Sequence, residues 1–349
     1  MPLSFTQHHV GSRIDQRLTG FLETWQAPVA DPDVEAAYRL LTEFILGGGK
    51  RIRPLLCYWG WRGAGGGDSE DIITAAAALE LCHAGLLIHD DIMDGSELRR
   101  GRATVHRSLA GLHEGPGAEA FGQAGGILLG TLSLAWSDTM LSSCGVEPQR
   151  LRAAHHIFDA MRTEVISGQY LDILAQLRSG ASVEEALTVI RFKTAKYTVE
   201  RPLQIGGALA GASMGLLESY SRFGLPLGEA FQLRDDVLGT FGSSAETGKS
   251  ALDDLREGKH TVLLAHAVHH SSPLQLAHLR SWHGNPELTE ERADELRQIL
   301  RDTGALAKVE EMIEERVREA LPALVAARME PEAASALALL ADQLAHRTK

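Results

Sequence analysis

Asp90, Asp91 and Asp94 stand together at the end of a long apolar stretch, and Arg99, Arg100 and Arg102 follow around Gly101. On a helix, Asp90 and Asp94 lie one turn apart on the same face, so two carboxylates converge on one point. Like charges that close repel and desolvate badly, and an apolar helix carrying them needs a cation or strong solvation to compensate. Hard carboxylate oxygens favour Mg2+, above all with phosphate as a co-ligand. A bare DDxxD pattern fits an acidic helix end in water as well; the arginines one short loop away make the pair suited to a metal-bound diphosphate.

Other candidates surround this cluster. Asp235 and Asp236 in FQLRDDVLG form a second acidic pair, and helical spacing puts Gln232 near Asp235. GGGKRIRP joins a glycine loop to Lys50, Arg51 and Arg53, so backbone amides and long cationic side chains can meet at an anion, although KRIR alone also reads as a solvated basic turn. His83 lies two helical turns before Asp90 on roughly the same face, where an imidazole could donate to a phosphate oxygen; a lone helical His is more often structural. His89 points elsewhere on the helix.

Helices are the elements that must hold these groups. VEAAYRLLTEFIL, ITAAAALELCHAGLLIHDDIMD, EEALTVIRFKTAKYTVE and VEEMIEERVREALPALVAAR repeat apolar residues at three- and four-residue intervals, and no run of alternating strands is convincing. Glycine-rich breaks at 47–49, 65–67 and 111–117 read as loops, and 271–288 as a surface excursion. Acidic residues open several helices, complementing their dipoles. The expectation is an all-α chain with a single domain over residues 1–349.

Bulk composition sets limits. With a formal net charge of -12, the chain is a poor general binder of nucleic acid, so any anion site must be local. Three cysteines, Cys57, Cys82 and Cys144, fall at unrelated spacings, which argues for neither disulfides nor a thiolate zinc site and fits a reducing cytoplasm. The first residues carry polar and charged side chains before any long apolar run, unlike a signal peptide, and GGILLGTLSLAW is too short and glycine-rich for stable membrane insertion.

DDIMDGSELRRGR resembles the first aspartate-rich motif of the trans-isoprenyl diphosphate synthases with its paired arginines, and RDDVLG resembles the second. The likeness runs from 47 to about 261, while 1–40 and 270–349 add only helical packing. It implies the isoprenoid synthase fold, antiparallel helices around a central cavity, and a homodimer. By resemblance, Asp90, Asp94 and Asp235 bind magnesium, about three ions with bound diphosphate, and Asp91 supports them. Arg99 holds the allylic diphosphate; Lys50, Arg53, His83 and Arg100 hold isopentenyl diphosphate. Lys193, Thr194, Gln232, Lys249 and Lys259 complete the diphosphate contacts, and Gln169 and Asp172 line the pocket. Gly239 replaces the usual third aspartate of the second motif, a form found in actinobacterial members such as geranylgeranyl diphosphate synthases. Ser250, Leu252 and Thr131 are further departures, which bear on flap closure and on polarity around the site.

The implied reaction is ionisation of the allylic diphosphate, condensation and elimination. In the family, aromatic residues five and four before the first Asp shorten the product. Here those positions are Gly85 and Leu86, with Cys82 and Ala78 on the next turns, so a floor one or two turns deeper, about 5 Å each, admits a geranylgeranyl chain. Farnesyl or longer products stay open, as does a non-catalytic regulatory subunit, which Gly239, Thr131 and Leu252 favour. A class I terpene cyclase shares DDxxD but has no use for GGGKRIRP and needs a metal motif this chain lacks.

Overall fold

The computed structural model describes residues 5–177, 182–242 and 252–346. Its helices are α1 (Phe5–Thr24), α2 (Pro32–Leu46), α3 (Ile52–Gly63), α4 (Glu70–Met93), α5 (Val105–Ala110), α6 (Ala118–Ser142), α7 (Pro148–Leu177) and α8 (Val183–Val189). After α8 come a π-helical segment (Ile190–Glu200), α9 (Arg201–Ala210) and α10 (Met214–Phe241). The rest comprises α11 (Asp253–Arg256), α12 (Val262–His270), α13 (Pro273–Trp282), α14 (Glu290–Asp302), α15 (Ala305–Ala326) and α16 (Pro331–Ala345). The all-α expectation holds, with one small exception: Leu98–Arg99 (β1) and Arg102–Ala103 (β2) pair antiparallel. Arg100 and Gly101, with φ of 54° and 73°, make the two-residue turn between them, a geometry whose twist matches that of the strands.

Helix α4 runs through the middle. Its run of alanines and leucines is apolar all round, and a helix of that kind needs neighbours on every side. It is long and apolar enough to cross a membrane, yet 78% of its most apolar window is buried against protein. The one carboxylate in its middle, Glu80, is buried and bonded by Arg51, which also donates to Asp15 of α1 and to the Ile45 carbonyl. Removing either partner of such a pair leaves a buried charge, at a cost of about 3–5 kcal/mol. Arg51 therefore ties the glycine loop 47–49 to the central helix.

Two apolar clusters form the interior. One gathers α1, α3, α4, α6, α7 and α9; the other packs α12, α14 and α15 together. Helix α10 supplies both, with Leu227 and Phe231 in the first and Leu233 and Val237 in the second.

Candidate active site

The acidic end of α4 divides its carboxylates between two tasks. Asp91 is fully buried and accepts from Arg99 through Nε, at 2.8 Å, and through a terminal nitrogen. Asp90 lies 3.4 Å from the Lys193 ammonium and 3.7 Å from the Arg99 guanidinium. Burial works against its ionisation, but Lys193, Arg99 and Lys259 outweigh it and hold Asp90 below the usual carboxylate range. Asp94, capping the helix, is pushed up to about 7 by burial and by the charge of Asp90.

Lys193 reaches Asp90 because of how its own helix is built. Between α8 and α9 the chain widens into a π-helix, in which the Arg201 amide bonds back to the Lys196 carbonyl. Pro202 has no amide to give and its ring would strike the Thr198 carbonyl in a regular α-helix; a wider turn removes that conflict. Glycines on both sides make room: a Cβ on Gly168 of α7 would sit 2.3 Å from the Lys193 nitrogen, and one on Gly228 of α10 would sit 2.4 Å from the Ala195 Cα. The GQ pair in α7 is thus a packing feature at Gly168, while Gln169 keeps a buried Nε2 with no hydrogen-bond partner. Asp172 takes the Lys193 ammonium at 2.6 Å and orients it. Thr194 donates to Gln232 Oε1 at 2.7 Å, and Gln232 donates to Asp236 at 2.8 Å. The π segment therefore bridges the two aspartate clusters. Gln232 bonds Asp236, one turn on.

The basic side assembles around His83. Arg53 donates to His83 Nε2 at 3.1 Å and to Thr198 Oγ1 at 2.7 Å, and its guanidinium lies 4.2 Å from the centroid of the Tyr197 ring. A guanidinium only donates, so Nε2 is the accepting nitrogen and Nδ1 carries the proton, 3.1 Å from the Tyr197 hydroxyl. Burial and the neighbouring arginines 53, 100, 99 and 51 push the imidazole well below its usual range. His83 is thus a neutral imidazole that positions Arg53. The Arg100 guanidinium donates to the Gly48 carbonyl and lies against Gly49, joining the hairpin to the glycine loop. Burial and its neighbours Arg51, Arg99 and Arg53 lower its pKa, though Glu80 opposes them. Crowded cations of this kind are relieved by an anion.

Lys50 is exposed on the same loop. Lys259 pairs with Glu257 at 2.8 Å, and its charge acts on both Asp90 and Asp94. Lys249 and Ser250 lie outside the described residues. Thr131 is exposed and returns its hydroxyl to the Ile127 carbonyl of its own helix, so it takes no part in the site.

The chain-length residues divide. Gly85 does not face open space: a Cβ there would come within 2.6 Å of the Gly130 carbonyl on α6. Its small size serves the close crossing of α4 and α6. Leu86 is half-buried, and Cys82 and Ala78 are fully buried in the core.

Magnesium fits these residues on two observations. Asp90 Oδ1 is buried with only an ion-pair approach from the Lys193 ammonium at 3.4 Å, and Asp94 is held from ionising by burial and by the charge of Asp90, a cost that a divalent cation offsets. Among the described residues no three potential ligands close into a cage. That suits an ion that keeps waters and binds through one or two carboxylates and substrate phosphates.

Comparison with known proteins points the same way. The sequence profile of the polyprenyl synthetases matches residues 34–301. A geranylfarnesyl diphosphate synthase of Aeropyrum pernix is 31% identical, over 87% of this chain and 92% of its own length. The octaprenyl diphosphate synthase of Escherichia coli is 33% identical over 71% of each chain. A crystal structure of geranylgeranyl pyrophosphate synthase from Corynebacterium glutamicum, complexed with isoprenyl diphosphate and magnesium, shares 39% identity at a TM-score of 0.93, covering 97% of this chain and 98% of that one.

Proposed function

The chain belongs to the polyprenyl synthetase family, and from that premise we propose a magnesium-dependent condensation of isopentenyl diphosphate with an allylic diphosphate, giving mainly trans geranylgeranyl diphosphate. One observation carries the reading: a single acidic centre, Asp90 and Asp94, is bordered by two separate cationic groups. Lys193 and Arg99 touch the acids themselves, while Arg53, Arg100 and His83 gather on the glycine-loop side. Two cationic groups suit two diphosphates; a cyclase needs one.

Asp90, Asp94 and Asp235 would hold magnesium, which supplies a Lewis acid for the charge that develops on the departing diphosphate. Arg99, Lys193 and Lys259 meet the same charge with fixed cations, so the allylic C–O bond breaks with its electron pair leaving on oxygen. Thr194 and Gln232 keep the π segment in register with the second acidic pair. Lys50, Arg53 and Arg100 hold isopentenyl diphosphate, His83 fixing the Arg53 fork. The isopentenyl double bond attacks the allylic carbon, and a proton lost to the released pyrophosphate restores a trans double bond. The apolar helices keep water from the cation.

The product named for the Corynebacterium glutamicum structure supports a geranylgeranyl chain, while the Aeropyrum pernix and Escherichia coli relatives are named for longer ones. Exposed apolar residues on α6 and α7, Leu128 at 70%, Tyr170 at 68% and Ile166 at 58%, support the homodimer. Buried free thiols suit a cytoplasmic location. Purified protein incubated with Mg2+, labelled isopentenyl diphosphate and each allylic primer should release geranylgeranyl diphosphate. Absence of elongation with every primer overturns the reaction; a different main product overturns only the length.

A further inference from the structure

The excursion at 271–288 lies mostly at the surface, anchored by the buried Leu279 and Leu288. After α13, the chain folds back onto the segment that carries Lys259 and fastens it at several points. The Gly284 amide donates to the Leu255 carbonyl at 2.8 Å. Arg256 donates through Nε and Nη2 to the Leu288 carbonyl, at 3.1 and 2.8 Å. Gly258 and Gly284, with φ of 70° and 78°, meet backbone to backbone, so that a Cβ on Gly258 would lie 2.9 Å from the Gly284 Cα. The His283 ring is hydrogen-bonded to the backbone carbonyl of Lys259 and stands perpendicular to His260 at 6.4 Å.

The residue pinned in this way is the one whose ammonium acts on Asp90 and Asp94 from a part of the chain remote from both. A lysine side chain loses rotamer entropy on meeting a ligand, and a lysine on a loose loop would lose loop freedom as well. Fixing the backbone beforehand removes the second loss. The two glycines have no apolar surface to bury; their positive φ and close approach serve to bring the turn before Lys259 against the turn after His283.

We propose that the 283–288 loop is a positioning element of the active site, in which His283 and Gly284 hold the Lys259 backbone so that its ammonium stands over the diphosphate bound at the acidic centre. The inference rests on the diphosphate reading above.

The test is a double-variant cycle on the full chain, reading the affinity for inorganic pyrophosphate with Mg2+ by calorimetry, with thermal unfolding run in parallel. His283→Ala is expected to weaken binding about tenfold, as befits a lost hydrogen bond that orders a charged group. In a Lys259→Ala background the same change should cost nothing further, and His283→Asn or His283→Gln, each offering an amide N–H in place of the ring donor, should recover most of the loss. Arg256→Gln, which frees the far end of the loop, provides the same cycle should His283→Ala fail to fold. Wild-type affinity in these single variants, or losses that multiply in the double variants, overturns the positioning role while elongation by the wild type leaves the functional reading standing. A wild type that binds no pyrophosphate and elongates no primer overturns both.

Discussion

Arg99 grips Asp91 through two nitrogens and leaves Asp90, one residue earlier, 3.7 Å away. Adjacent carboxylates on one helix therefore serve different partners: the buried one fixes a cation, and the other keeps an oxygen for a ligand. Replacing Asp91 with Asn should loosen Arg99 without removing a metal ligand. We expect a loss of about 10–100-fold in kcat/KM for the allylic substrate, as for other groups that orient a ligand-binding residue. Because a buried partner is lost, a stability decrease of about 3 kcal/mol in urea unfolding should accompany it.

Asp90→Ala should abolish turnover with the fold intact, because the Lys193 ammonium that approaches Asp90 Oδ1 at 3.4 Å keeps its closer partner Asp172 at 2.6 Å. Circular dichroism and an elongation assay on the same sample check this. Retained elongation would remove Asp90 from the metal site.

Gly85 and Leu86 should respond differently to Phe. At Gly85 any side chain meets the Gly130 carbonyl, so Gly85→Phe should lower the unfolding temperature by several degrees, in line with an overpacking cost of about 1–3 kcal/mol. Leu86→Phe should instead shorten the product with little effect on stability. Products separated by chain length, alongside thermal melts, distinguish the two; a shortened product from a fully stable Gly85→Phe protein contradicts the packing role.

His283 sets a pH dependence of stability. Burial, with His260 nearby, lowers its folded pKa to about 4, against about 6.5 when unfolded. Between those values the unfolded chain binds a proton that the folded chain refuses, so stability falls as pH drops from about 6.5 toward 4 and levels off below. The full effect is about 3 kcal/mol. Urea unfolding of wild type and His283→Asn at a series of pH values should show the two curves converging on acidification; parallel curves would rule out the assignment.

Much of this site was legible because helical spacing converts directly into geometry. Asp90 and Asp94 share a face for that reason, and Arg99 and Arg100 come within reach because a hairpin turn is short. Three features depend instead on which distant segments meet. Gly85 looks open in a list of side-chain sizes, and only the crossing of α6 shows that the space is filled. His83 reads as a lone helical imidazole until Arg53 and Tyr197 fix its tautomer. The segment 271–288 has the composition of a surface loop, and nothing local to it names Leu255, Arg256 or Lys259 as its partners. Tyr197 and Thr198 were missed as well, although they follow Lys193 on the same helix; a period of 3.6 misplaces them where the helix is wide.

The wide segment at Ile190–Glu200 has the dimensions of an α-helix that has absorbed an additional residue. Deleting one residue within it, so that the helix closes to an ordinary winding, would turn everything on one side by about 100° relative to the other. The flanking apolar contacts and the site-facing pair Lys193 and Thr194 could then no longer be satisfied together. Chains that descend from a common ancestor with this one should keep the number of residues here as well as Lys193 and Thr194, and a single-codon deletion should be more damaging than a substitution at the positions that neither face the site nor pack against the flanking glycines.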